Sequence, residues 1–316
     1  MKRAKLYKLG NIVLSGVIIL LSIYYLKIEL LSRNFELTID ELLALFSKDV
    51  ELLLLVVLFM PLNWSVEALK WKQILYGNVK MTFGKALRSV LSGVTFAIIT
   101  PNGIGEYGGR LLSISRENRA KALFLNSFLS LSQLLITTIG GLLGYLIIQQ
   151  YFSFSIHYLV VILIVIALLL IYFLTKLNFN FFAKIRGNNQ DNSEWIIPKR
   201  QRVNTLGLSF LRYCIFCLQF ALLLHVCGIE STTLIYYGLI STIYLVAAVI
   251  PTGWISNLLV RASLSFYFFE QIGDFGEEAV VASSILWIIN LFIPALVGLV
   301  FIRNVNWLRL FKFKTI

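Results

Sequence analysis

Residues 100–110 combine groups that are rare inside apolar sequence. The segment reads TPNGIGEYGGR and lies between two strongly apolar runs. Ionisable side chains and broken backbone are costly in hydrocarbon, and they persist where protein or a water-filled cavity surrounds them. Glu106 and Arg110 are spaced i,i+4 with the acid first, so on a helix they can pair on one face. In a low dielectric such a pair can hold a zwitterionic or anionic head group.

The backbone of this segment adds a second kind of chemistry. Pro101 lacks an N–H and suits the first turn of a new helix. Gly103 and Gly105 permit close approach of another backbone or of a head group, and free N–H groups at a helix start favour a phosphate. We therefore predict that substrate binding involves Pro101, Asn102, Gly103, Gly105, Glu106 and Arg110. The alternative is that Glu106 and Arg110 only neutralise each other and hold the segment in place.

A weaker break follows in the second half of the chain, at residues 250–254. It contains Pro251 and Gly253, and Arg261 lies beyond it. We predict that Pro251, Gly253 and Arg261 complete the site from the other half. The alternative for Arg261 is an interfacial or structural role.

Two further sets of polar side chains fall within apolar segments. Asn63, Glu67 and Lys70 are spaced i, i+4, i+7 along one helix face, and we expect them to line the inner approach to the site. A helix end seated at the membrane interface explains this row almost as well. For Arg212, close to the predicted cytoplasmic end of a helix, a structural role is favoured over binding.

Composition defines the class of protein that positions these residues. The chain has 316 residues, of which 58% are hydrophobic and 14% charged. Soluble domains are about 45–50% apolar and about 25% charged. The sequence therefore predicts an all-α polytopic membrane protein. The formal charge of +12 is better explained by basic cytoplasmic loops than by nucleic-acid binding, so no nucleic-acid partner is expected.

The motifs that would indicate other chemistries are weak or missing in the sequence. Cys214 and Cys217 form a CxxC within an apolar run, which is more typical of packing than of redox or metal chemistry. His157 and His225 have no carboxylate at ligand spacing, so we predict no metal and no cofactor. There is no GxxxxGK[ST] motif, so ATP-driven transport by this chain is not expected.

The apolar runs predict six spanning helices and two shorter dips. The predicted spans cover residues 9–26, 50–69, 122–148, 158–175, 203–226 and 279–301. The run 86–99 has roughly 14 residues, too few to cross a core of about 30 Å. It and the run 232–251 each end at a break, which predicts two re-entrant hairpins. Residues 176–202 are predicted to form a cytoplasmic loop, and Gly140, Gly141 and Gly144 to form a small-residue packing face.

The distribution of basic residues predicts the orientation. The segments placed in the cytoplasm carry 22 of the 28 Lys and Arg residues. This asymmetry predicts that both termini are cytoplasmic in a multi-pass protein of the cell membrane. The whole chain, 1–316, then forms one membrane domain of two halves, 9–148 and 158–301, with opposite orientation. Inverted repeats with broken helices at the midplane are typical of secondary transporters.

Residues 100–110, with their Thr-Pro-x-x-Ile-Gly-Glu and following Arg, carry a family resemblance. Together with residues 67–72 (EALKWK) and with the Pro-Gly-Arg pattern of residues 251–261, they resemble the flippase-like integral membrane family that contains the transmembrane region of lysylphosphatidylglycerol synthase. The resemblance spans nearly the whole chain. Three features depart from it: Gly103 stands where many members carry Arg, the Glu106–Arg110 spacing is one longer, and residues 257–259 replace a glycine-containing run.

The resemblance implies movement or binding of a lipid head group and does not imply lipid synthesis. Aminoacyl transfer needs a cytosolic catalytic domain, and the longest predicted loop, about 27 residues, is shorter than a domain of at least about 50. The leading hypothesis is a translocator of a phospholipid or lipid-linked head group, not an enzyme. The alternatives are a non-transporting lipid-binding or scaffold protein and, third, a membrane-embedded enzyme with Glu106 as general base. A homo-oligomer is compatible with each.

Overall fold

The computed structural model describes residues 13, 17, 20–28, 47–77, 79–100, 103–154, 157–174, 197–229, 234–252 and 254–302. Every regular element in these residues is helical. The α-helices after the helical residues 20–28 are α1 (Val50–Leu75), α2 (Phe83–Ile99), α3 (Gly105–Leu111), α4 (Arg119–Ile148), α5 (Tyr158–Leu174), α6 (Lys199–Val226), α7 (Leu234–Val249), α8 (Trp254–Gly273), α9 (Gly276–Trp287) and α10 (Ile293–Ile302). Short 3-10 turns precede and follow α4, and a π-helical segment, Ile288–Phe292, joins α9 to α10.

Among the described residues, four helical stretches are long and apolar enough to cross a membrane. They are Val50–Leu75, Arg116–Tyr151, Lys199–Val226 and Gly276–Ile302. The segments Val160–Leu169 and Leu234–Val249 are apolar but shorter. This pattern is consistent with an α-helical membrane protein. Of the predicted span 9–26, residues 13, 17 and 20–26 are described, and they are helical.

Helix α1 exposes leucines and buries three polar side chains among apolar ones. Leu54, Leu58, Leu62 and Leu69 are exposed, whereas Asn63, Glu67 and Lys70 are buried. On an amphipathic helix of a water-soluble protein, ionisable side chains lie on the face opposite the core. Ionisable residues that face the bundle interior, as Glu67 and Lys70 do here, are typical of membrane helices.

Helices α2 and α3 pack against each other as a tight hairpin. A Cβ atom on Gly109 would lie 2.5 Å from the carbonyl oxygen of Ser92 and 2.6 Å from Cα of Gly93, so the two backbones are in contact. The predicted break after residue 99 is confirmed. Helix α3 begins at Gly105. The predicted helix start at Pro101 lies outside the described residues, as does Asn102.

Small residues also join the longer helices. A Cβ on Gly144 of α4 would lie 2.8 Å from the carbonyl oxygen of Gly238 on α7, and the missing side chains of Gly140 and Gly141 leave room for Tyr213 and Leu245. The predicted small-residue packing face is thus confirmed. Helix α10 packs on α2 through Gly298, and Thr95 Oγ1 of α2 donates to the Ala295 carbonyl at 2.8 Å.

Two boundaries differ from the sequence prediction. Helix α6 begins at Lys199, so the last residues of the predicted loop 176–202 are helical, and residues 175–196 lie outside the described part. This earlier start places Arg212 in the middle of α6 and not close to its end. The break between α7 and α8 falls where it was predicted; Pro251 there is exposed and Gly253 lies outside the described residues.

Candidate functional site: a buried charge cluster

The carboxylate of Glu67, on α1, forms ion pairs with three cations. These cations lie on three helices. Its Oε1 is 2.8 Å from Nη2 of Arg110, and its Oε2 is 3.0 Å from Nζ of Lys70 and 3.1 Å from Nη1 of Arg212. Glu67 is 3% exposed, Lys70 1% and Arg110 3%. Helices α1, α3 and α6 are therefore joined at one buried carboxylate.

Glu106 supplies the second carboxylate of this group and is its most accessible member. Its Oε1 lies 2.5 Å from Nη2 of Arg110, and its side chain is 36% exposed against 4% for Arg110. The i,i+4 pairing predicted from the sequence is confirmed. Glu106 connects the buried groups to the accessible surface. We call Glu67, Lys70, Glu106, Arg110 and Arg212 the charge cluster.

The charge cluster is not electrically balanced. With ordinary ionisation states it has three cations and two carboxylates, an excess of one positive charge within the described residues. Nε and Nη1 of Arg110 are buried and have no hydrogen-bond partner among the described residues. Unpaired buried donors cost free energy, more so when they are charged. An anionic oxygen would satisfy them and offset the excess charge.

Aromatic rings and one serine fix the orientation of the arginines. Cζ of Arg110 lies 5.7 Å from the ring centroid of Trp71, within the range of a cation–π interaction. Trp71 Nε1 donates to Ser89 Oγ at 3.0 Å, and Ser89 Oγ donates to the Arg110 carbonyl at 2.7 Å. Arg212 stacks between Trp64 and Phe216, at 5.2 and 5.1 Å.

A chain of amide side chains extends the charge cluster along α1. Arg212 Nε donates to Asn63 Oδ1 at 2.8 Å, Asn290 Nδ2 donates to Gln219 Oε1 at 3.1 Å, and Gln219 Nε2 donates to the Val56 carbonyl at 2.9 Å. The Asn63–Asn290 contact, 3.5 Å, links the two parts. At about 1.5 Å per residue, the buried polar groups between Val56 and Lys70 cover roughly 21 Å of helix.

The π-helical segment has a direct part in this chain. Asn290 lies within it, and the Asn290 carbonyl accepts a hydrogen bond from Trp64 Nε1 at 3.2 Å. A π segment displaces carbonyls from the regular i→i+4 ladder, and such segments are frequent at functional sites. On the opposite side, Lys70 Nζ donates to Gln133 Oε1 at 3.2 Å and so brings α4 into the site.

The second break contributes a separate, cationic group. Arg261 Nε donates to Asn257 Oδ1 at 3.0 Å, and Asn257 Nδ2 donates to Thr252 Oγ1 at 3.1 Å. Cζ of Arg261 lies 5.4 Å from the ring of Tyr244, whose hydroxyl donates to the Phe216 carbonyl at 3.1 Å. Because Phe216 also contacts Arg212, two aromatic rings connect Arg261 to the charge cluster. No described carboxylate pairs with Arg261.

Several residues predicted from the sequence lie at other places in the site, or make other contacts, than we expected. Asn63, Glu67 and Lys70, expected along the approach, lie at the centre. Gly105 makes an internal contact, because its N–H donates to Thr100 Oγ1 at 2.7 Å and so is not a free amide for a head group. Gly103 has a φ of +64° and an open neighbourhood, which fits a turn.

Apart from Asn63, sequence reasoning did not identify the amide residues of the site. Gln219 and Asn290 are isolated polar residues within apolar helical sequence, and this isolation is the signal that could have found them. Gln133 follows Ser130 and Ser132, and the sequence does not distinguish it from these polar neighbours.

No protein-family model matches this chain, and no curated protein matches it. The family resemblance of residues 100–110 therefore stays a prediction.

Proposed function

We propose that this chain is a flippase-like translocator that binds the head group of a phospholipid or lipid-linked molecule at the charge cluster. The observation that carries the proposal is a group of five ionisable side chains, three of them buried, with one excess positive charge. An ionisable group within a membrane bundle is a functional-site hypothesis by default, because it is too costly to keep without a role.

The chemistry of the charge cluster favours a head group with an anionic oxygen. Arg110 has two donor nitrogens without an acceptor in the described part of the chain, and the excess charge lowers the free energy of a bound phosphate. Glu106, at the accessible rim, offers a carboxylate to an amine. A zwitterionic or aminoacylated head group could therefore contact Arg110 through its phosphate and Glu106 through its amine.

The proposal includes the topology predicted from the sequence. Six spans, two re-entrant hairpins (α2–α3 and α7–α8), cytoplasmic termini and an inverted repeat would form the translocation path. Helices α2 and α7 have 17 and 16 residues. At 1.5 Å per residue they are about 25 Å long, shorter than a hydrocarbon core of about 30 Å, which supports hairpins that enter and return. Arg261 would line the path from the second hairpin.

The competing function is lipid binding without transport. A carboxylate shared by three cations also serves to hold helices in register, and a buried ion pair is weak evidence for more than that. We assign no catalytic step, because Glu106 is engaged by Arg110. The two functions differ in whether the charge cluster controls movement of lipid across the bilayer.

The test is lipid translocation in proteoliposomes with head-group-labelled anionic, zwitterionic and aminoacylated lipids. Wild type is compared with Glu106→Gln and Arg110→Gln. A charge-assisted hydrogen bond contributes about 1.5–3 kcal/mol, so we expect head-group-selective rates to fall about tenfold or more in both variants.

The matched controls are Glu51→Gln and Arg88→Gln, which remove the same charges at exposed positions. All variants must give the same size-exclusion profile as wild type. Translocation that is absent for every lipid, or that is equal in site and control variants, would contradict the proposal and favour lipid binding without transport.

A further inference from the structure

A second polar region lies at the C-terminal end of α1. An open groove of about 780 Å³ is formed there by the end of α1, the following turn and the start of α2. Three lysines line it, Lys72, Lys80 and Lys85, together with Tyr76 and Thr82. Its volume is within the range of small-molecule sites, about 300–1,000 Å³. We call it the lysine groove.

The charge of the lysine groove is unopposed. All three lysines are exposed, no carboxylate lines the groove, and no ion pair among the described residues includes any of them. Three like charges on one concave surface raise the local positive potential and attract anions. The groove therefore differs from the charge cluster, where carboxylates offset most of the positive charge.

Two neighbouring elements increase this potential. Helix α2 starts in the groove: Thr82 caps it by accepting from the backbone N–H of Lys85 at 3.4 Å, and the N-terminal end of a helix carries a partial positive charge. Gln201 Nε2 donates to the Tyr76 carbonyl at 3.5 Å, which brings the first turn of α6 to the groove. That turn carries the exposed Lys199 and Arg200.

The position of the lysine groove also favours contact with a bilayer surface. The groove adjoins the exposed leucine face of α1 and begins at Lys72, one residue after the buried Trp71. Lys70, two residues earlier, belongs to the charge cluster. A concave basic surface at the end of an apolar helix lies at the level of the head groups if α1 spans the membrane. Lysines near such a surface attract anionic lipid.

We propose that the lysine groove binds a phosphate-bearing anion, either the phosphate of an anionic lipid head group or a soluble phosphate compound. Lys72, Lys80 and Lys85 supply the ammonium groups that contact the phosphate oxygens, as lysines do in phosphate sites. The proposal requires no translocation and no contact with Glu106 or Arg110, so it stands independently of the proposed function.

The test is a binding titration with the full chain in a neutral detergent. The probes are dioctanoyl phosphatidylglycerol, dioctanoyl phosphatidylcholine and pyrophosphate. The variant Lys80→Gln/Lys85→Gln removes two groove charges and keeps the backbone N–H that caps α2. The matched control Lys27→Gln/Lys48→Gln removes two exposed lysines elsewhere. Equal melting temperatures exclude a folding defect.

We expect saturable binding of phosphatidylglycerol that weakens about tenfold or more in the groove variant and less than about twofold in the control, since each basic residue near an anionic surface contributes a factor of about five. Pyrophosphate that competes and binds more tightly than phosphatidylglycerol would favour a soluble phosphate compound as the ligand. Weaker binding of pyrophosphate, or failure to compete, would favour the lipid head group. Equal loss in both variants, no loss in the groove variant, or phosphatidylcholine binding as tightly as phosphatidylglycerol would overturn the proposal.

Discussion

Two adjacent glycines of α3 allow a matched test of the hairpin that presents Arg110. Gly109 faces α2, whereas Gly108 is exposed, and a Cβ atom added to Gly108 would meet no described atom within 4 Å apart from its chain neighbours and the backbone of its own helix. Alanine at either position adds the same methyl group to the same helix. The two variants therefore differ in packing and not in chemistry.

The distances give the expected size of the difference. A Cβ on Gly109 would lie 2.5 Å from Ser92 O, 2.6 Å from Gly93 Cα and 2.7 Å from Gly93 N, whereas ordinary contact begins at 3.4 Å. All three of these atoms belong to the backbone of α2, so α3 must move away from α2 by roughly 1 Å. Overpacking of this kind lowers the free energy of unfolding by about 1–3 kcal/mol. At Gly108 alanine only improves helix propensity, by up to about 1 kcal/mol.

The assay is thermal unfolding in one detergent, followed by the helical circular dichroism signal. We expect Gly108→Ala to melt at or above the wild-type temperature and Gly109→Ala to melt several degrees lower, since 1 kcal/mol shifts Tm by about 2–4 °C for a domain of about 150–250 residues. Equal melting temperatures for the two variants, or a more stable Gly109→Ala, would refute the close contact of α2 and α3.

Two further changes test the charge cluster. Glu67→Gln leaves three cations with Glu106 as their remaining carboxylate and should cost about 3–5 kcal/mol, whereas Glu67→Gln/Lys70→Gln removes one charge of each sign and should recover part of that loss. Denaturant titration in mixed micelles measures both, and a double variant less stable than the single one would contradict the ion-pair geometry. Ser89→Ala leaves the indole N–H of Trp71 and the Arg110 carbonyl without their partner and should cost about 1–3 kcal/mol by the same titration. A loss no larger than that of the exposed Ser113→Ala would show that this hydrogen-bond bridge does not contribute.

Local spacing predicted the parts of the site that one helix contains. Glu106 and Arg110 pair because residues four apart share a helix face. The break before α3 followed from glycine and proline chemistry. The start of α3 at Gly105 did not follow from that chemistry. It depends on the Thr100 hydroxyl, which accepts a hydrogen bond from the Gly105 N–H and so links the end of α2 to the new helix.

The centre of the site could not be predicted because it depends on tertiary packing. Glu67 and Arg110 are 43 positions apart, and Asn63 and Arg212 are 149 apart. Periodicity placed Asn63, Glu67 and Lys70 on one face of α1 but did not indicate which helices cover that face. The sequence also emphasised the backbone of residues 101–105, whereas the described contacts of the site are made mainly by side chains of α1, α3 and α6.

The sharing of Arg110 between two carboxylates has a mechanical consequence. Glu106 and Arg110 are on the same short helix and move together, whereas Glu67 belongs to α1. If α3 shifts relative to α1, Arg110 keeps one carboxylate, and Glu67 keeps Lys70 and Arg212. Neither side becomes a lone buried ion, which is the costly outcome when an ordinary buried pair is separated. A shift of the hairpin against its neighbour would therefore leave each carboxylate with at least one cation.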